Sequence, residues 1–161
     1  MRKGKVYVYD SIYSTLNDFV IKQLCNCYHS LANADNELTV VLPGVYMQSG
    51  TIDCGLFSTA YAYDIASGIY PEDVIYNQSN FRRHFNDCIS HDRILSFPRY
   101  IENNFDQLIP PMKETKTQTI VISCYCKQPP TTNMVKCNLC QENFHLECIE
   151  STSSDHCGTW M

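Results

Sequence analysis

The chain has 161 residues, 44% of them hydrophobic, with ten cysteines and a formal net charge of -5. This composition suits one incomplete domain plus a small metal-stabilised module and excludes a disordered tail. The acidic balance leaves no basic stripe to displace counterions from phosphate, and Arg2, Lys3 and Lys5 are too few to supply one, so a broad nucleic-acid surface is excluded. No apolar run reaches transmembrane length, and no internal repeat occurs.

From the N-terminus, Val6 to Tyr9 combines β-branched and aromatic residues and predicts a strand that ends at Asp10 and Ser11. A carboxylate at a strand end can orient a catalytic histidine; the plainer role for Asp10 is a helix cap or a turn. Leu16, Phe19, Val20, Leu24, Cys27, Tyr28 and Leu31 then form one helical stripe, which Asn33 to Asn36 ends. A second strand, Leu38 to Leu42, runs into Pro43 and Gly44 and leads on to Gln48.

Gln48 stands six positions before Cys54, and Cys54 opens a stretch in which Leu56, Phe57, Ala60, Tyr61, Tyr63, Ile65 and Ala66 recur at near-helical spacing, with Gly68 as the stop. A cysteine at a helix N-terminus meets unpaired N–H groups and the positive end of the helix dipole, which stabilise a thiolate. Gly55 keeps the approach to it open. Gln48, just before a Ser-Gly turn, can fold back and donate its amide to an oxygen that becomes negative during acyl transfer. A buried, inert cysteine on an apolar helix face is the competing reading.

The order of these motifs, closed by Phe81 to Cys88 and then Phe97-Pro98, resembles the C-terminal half of the ubiquitin-like-protein-specific protease family, the enzymes that process and remove SUMO. The resemblance runs from about Lys5 to Arg99. It implies part of a papain-like α+β fold, with Cys54 as nucleophile, Asp10 orienting the catalytic histidine, Gln48 completing the oxyanion hole, and ubiquitin-like conjugates as substrates. In the family the histidine precedes the aspartate and commonly stands before a tryptophan. Residues 1–9 contain no histidine, and His29, His84 and His91 suit capping, surface or packing roles. The chain by itself is therefore expected to be inactive or nearly so, because catalytic groups that act as a unit lose far more than a proportional share when one is missing.

After Pro98, polar residues and Pro110-Pro111 read as a linker over 99–120, although Thr119 to Ile122 predicts a brief strand. Cysteine then becomes dense: Cys124, Cys126, Cys137, Cys140, Cys148 and Cys157, with His145 among them. C-x-C and C-x-x-C followed by H-x-x-C supplies the thiolate and imidazole clusters that tetrahedral zinc requires. No secretory signal is visible at the N-terminus, so a reducing nuclear or cytoplasmic compartment and zinc are favoured over a disulfide framework.

Residues 121–161 resemble a PHD-type zinc finger, with Met134 before Cys137 and Phe144 before His145 fitting its pattern. The resemblance implies a first zinc on Cys124, Cys126, His145 and Cys148 and a second on Cys137, Cys140 and a final cysteine pair. Trp160 predicts a cysteine directly after Met161, and Cys157 is the stand-in within the chain. It also implies a histone tail or another peptide as partner, although Ser123 and Asn143 stand where methyl-lysine readers carry aromatic residues. The readings at this level are therefore three: a peptidase domain over 1–98 recruited by a finger, a non-catalytic peptide-binding protein, and a truncated gene or mobile-element fragment.

Overall fold

The structure is a computed structural model and describes residues 4–100 and 110–151. It is mixed α+β with small sheets. In chain order the elements are β1 (Lys5–Tyr7), α1 (Asp18–Tyr28), β2 (Glu37–Leu42), α2 (Cys54–Ala66), α3 (Phe81–Ser90), β3 (Lys116–Val121), β4 (Met134–Lys136), β5 (Asn143–His145) and α4 (Leu146–Ser151). One sheet has the order β1-β2-β3 and the other is the β4-β5 hairpin. The chain divides into two compact units, one made of residues 1–6, 16–40 and 117–161 and the other of 7–15 and 41–116.

In the first unit, the side chain of Asn17 accepts the Val20 N–H at 2.9 Å and caps α1, so the cap lies well downstream of Asp10. The helix begins later than its apolar stripe suggests and buries little of it. Leu24 and Cys25 are buried, whereas Phe19 is 69% exposed. His29 sits at the C-cap, its Nδ1 3.3 Å from the carbonyls of Cys25 and Asn26, where an imidazole complements the helix's negative end. β3 starts at Lys116 rather than Thr119; threonines alternate along its polar start, a pattern that suits a strand despite its low hydrophobicity.

The second unit is built around α2. Phe57, Ala60 and Tyr61 on this helix meet Val45, Val74, Tyr76, Phe81 and Phe97 in one buried cluster. Its rings pack tilted or edge-on, with Phe57 and Phe81 centroids 4.9 Å apart and Phe81 and Phe97 5.1 Å apart, the geometry that ring quadrupoles favour. α2 stops where its sequence says it should. Gly68 takes φ +78°, its N–H reaches Ile65 O, and the Ile69 N–H reaches back to Asp64 O, which together form a Schellman motif. Gly44 is required for a different reason: a Cβ there would lie 2.2 Å from the Lys113 carbonyl oxygen, so only glycine lets residues 111–115 approach this closely.

Two core tyrosines set an alkaline limit. Burial, then the hydrogen bond to Asp64 and its charge, pushes the Tyr76 phenol far above its usual range. Burial and the charge of Asp10 do the same to Tyr61. The unfolded phenols ionise near pH 10 while the folded ones stay protonated. Their contribution is thus intact below that pH and is lost as pH rises toward the folded values. Urea unfolding should show the pair losing about 2 kcal/mol of stability between pH 10 and 11, and Tyr61→Phe alone should halve the loss. A flat profile across that interval would contradict the burial of both hydroxyls.

Candidate functional site

Cys54 is the first residue of α2 and is exposed, with open space around the α-carbon of Gly55. The loop before the helix is firmly held. Ser11 Oγ donates to Gln48 Oε1 at 2.6 Å, the Gln48 N–H reaches Ser11 O at 3.1 Å, and Gln48 Nε2 donates to Gly50 O at 2.8 Å. A carbonyl can only accept, so these partners fix which end of the Gln48 amide is nitrogen. One Nε2 hydrogen is used by Gly50 and the other has no acceptor among the described residues. Gln48 and Asp53 both line an open cleft of about 600 Å³ with Tyr76, Gln78 and Arg82.

Asp10 adopts the turn role. Its Oδ1 accepts the N–H groups of Ile12 at 2.6 Å and Tyr13 at 2.7 Å, while Oδ2 has no hydrogen bond among the described residues. Lys113 supports this turn: its ammonium donates to the carbonyls of Asp10 and Tyr13 and lies 3.9 Å from the Asp10 carboxylate. Burial pulls the Lys113 ammonium down and the Asp10 charge opposes it. The structure thus joins Ser11, the neighbour of Asp10, directly to Gln48.

No histidine completes the set among the described residues. His84 Nε2 faces Leu95 O at 3.2 Å and Cys88 Sγ at 3.4 Å, with its ring stacked edge-on against Phe97. His91 bonds to Asp87 O within its own helix turn. Both have the packing and capping roles that their sequence context suggests.

The sequence motifs include Asp53 and Arg82 but assign neither a role, and Gln78 lies outside them. The Asp53 carboxylate binds Arg82 Nη2 at 2.6 Å and Gln78 Nε2 at 2.7 Å. Gln78 also grips both backbone groups of Ser49, accepting its N–H at 2.7 Å and donating to its carbonyl at 2.9 Å. These partners are separated by 25 to 29 residues, so no local spacing reveals them.

In the first unit, Cys124, Cys126, His145 and Cys148 bring their ligand atoms within 4.8 Å of one another, a cluster that can hold a metal ion. Local structure explains the placement. A bridge between Ser123 and Gln128 closes the first knuckle, with Cys124 at φ +65° and Lys127 at φ +59°. The β4-β5 register sets His145 opposite Met134, and α4 then carries Cys148 back to the cluster. His145 Nε2 donates to Pro129 O at 2.9 Å, which leaves Nδ1, 3.3 Å from Cys126 Sγ, as the coordinating nitrogen.

The thiols divide unevenly. Burial pushes Cys124 up, but hydrogen bonds from the backbone of Cys126 and His145 and from their side chains outweigh it and hold the thiol down at about 7. Burial, then the bonds and charges of Cys126 and Cys124, pushes Cys148 up to about 12. Crowded sulfurs that resist ionising together are what a divalent cation relieves. Cys137 is fully buried at the start of the β4-β5 turn and Cys140 is exposed; neither joins the cluster. Cys157, Trp160 and Met161 lie outside the described residues.

Among the described residues no helix is long and apolar enough to cross a membrane. No protein-family model, curated protein or solved structure matches the chain.

Proposed function

We propose that the chain carries the nucleophile and oxyanion portion of a papain-like cysteine peptidase for ubiquitin-like conjugates, followed by a PHD-type finger that binds zinc and docks a peptide such as a histone tail. The observation that carries this reading is the bond from Ser11, next to Asp10, to Gln48, 37 residues away, in the loop that leads into the helix Cys54 opens. In this reading the Cys54 thiolate attacks the scissile carbonyl, and the available Nε2 hydrogen of Gln48 stabilises the developing oxyanion. Asp10 keeps one carboxylate oxygen for a histidine brought by another segment. Three thiolates and one imidazole suit zinc best among common cations.

The experiment pairs the chain with a histidine-bearing strand from a related peptidase and follows cleavage of a ubiquitin-like conjugate. Cleavage is expected only for the pair, and Cys54→Ala should abolish it, a loss of at least about a thousandfold, with bound zinc unchanged. Cleavage that survives Cys54→Ala would overturn the nucleophile assignment. The lack of any histidine at Asp10 among the described residues favours a second reading, a peptidase-derived binding protein that no longer cleaves. That reading prevails if the pair binds the conjugate without processing it.

A further inference from the structure

We propose that Gln78 and Arg82 are positioning residues that hold the Asp53 carboxylate away from α2 and so keep the first-turn N–H groups of that helix open for the Cys54 thiolate and the oxyanion. This inference rests on the peptidase reading for its purpose, but not for its geometry.

Aspartate at a helix N-cap normally turns its carboxylate onto the N–H of the second or third helical residue. The same protein shows how this looks when nothing interferes: Asn17, at φ -93° and ψ 167°, caps α1 through Val20. Asp53 occupies the equivalent position before α2, and its backbone carbonyl accepts the Phe57 N–H at 3.0 Å as a cap residue's should. Yet its side chain makes no cap bond, and its backbone at φ -107° and ψ 10° lies outside the extended region from which such a bond is made. Both oxygens are taken elsewhere, one by the Arg82 guanidinium and one by the Gln78 amide.

Gln78 also fixes the loop itself through its two bonds to the Ser49 backbone, so loop and carboxylate are pinned by one side chain. Without the clamp, Asp53 is free to relax into the capping conformation. It would then occupy the donors that the thiolate needs and place a negative charge beside the sulfur.

The test follows carboxamidomethylation of Cys54 in the full, zinc-supplemented chain by iodoacetamide at pH 7.5, resolved by peptide mass spectrometry. Arg82 is 62% exposed along its side chain, so its substitution leaves the core intact. Arg82→Gln should slow alkylation at Cys54 about tenfold, and Arg82→Lys, which keeps the cation, should restore most of the rate. The decisive comparison is made in an Asp53→Ala background, where Arg82→Gln should have no effect, because no carboxylate remains to cap the helix. Gln78→Met, tested in both backgrounds, repeats the comparison if Arg82→Gln folds poorly. Equal slowing with and without Asp53, or no slowing at all, overturns the clamp. The readout is thiol chemistry in the chain alone, so failure of the chain paired with a histidine-bearing strand to cleave a conjugate overturns the peptidase reading and leaves this result standing.

Discussion

Chelation of the cation proposed at the Cys124, Cys126, His145 and Cys148 cluster is expected to unfold residues 123–151 as a unit, and substitution of one cluster ligand should have the same consequence. The local structure offers little to resist this. β4 and β5 have three residues each and α4 has six, and a two-stranded hairpin of that size is marginal in water. Ile122, Cys137 and His145 are the buried residues within 122–151, too few for an independent core. On the proposed reading the fold of this segment depends on ligand bonds to the cation, and where that cation is a structural zinc, such bonds contribute about 10 to 16 kcal/mol near neutral pH. Native mass spectrometry should find metal retained by the chain, and a strong chelator should expose the β4-β5 amides to hydrogen exchange. Cys126→Ser should abolish protection of those amides, whereas Cys27→Ser, an exposed thiol outside the cluster, should not alter it. Full protection after chelation would show that packing alone holds the hairpin, and the metal role would fall.

The features that sequence could reveal were those governed by local chemistry. The bounds of α2 are legible because an apolar run meets a glycine with the required left-handed conformation, and both signals lie within the helix and its stop. The four-residue metal cluster is legible because thiolates and imidazole at short spacings have few other reasons to coincide. Two roles remained open in the sequence for Asp10, and the turn geometry of Ile12 and Tyr13 occupies only one of its oxygens. The burial of α1 was not legible, since a stripe predicts which face is apolar but not whether anything covers it. The partners of Asp53 were invisible for a further reason: Gln78 and Arg82 look like ordinary surface residues until the loop before α2 folds against them.

Asp64 is the extreme case of such a hidden partner, and it leads to the second large effect. This carboxylate is fully buried on the helix that Cys54 opens, and nothing in the sequence singles it out. Tyr76 donates to its Oδ2 at 2.5 Å and Arg99 Nη2 to its Oδ1. A bridge between the backbones of Tyr76 and Arg99, flanked by Asn77 to Pro98 and Tyr100 to Ile75 hydrogen bonds, delivers both donors side by side. A buried ion pair of this kind adds little beyond what an apolar core of equal volume would give, yet losing Arg99 leaves a buried charge with the Tyr76 hydroxyl as its remaining side-chain donor among the described residues. Arg99→Leu should therefore cost about 3 to 5 kcal/mol in urea unfolding, and Tyr76→Phe, which removes one neutral donor, about 1 to 3 kcal/mol. The double variant Asp64→Leu/Arg99→Leu should recover much of the loss, because it removes the stranded charge along with its partner. If Arg99→Leu costs less than about 1 kcal/mol, the carboxylate is not held in the core as a charge. The helix that presents Cys54 is then anchored by its aromatic face alone.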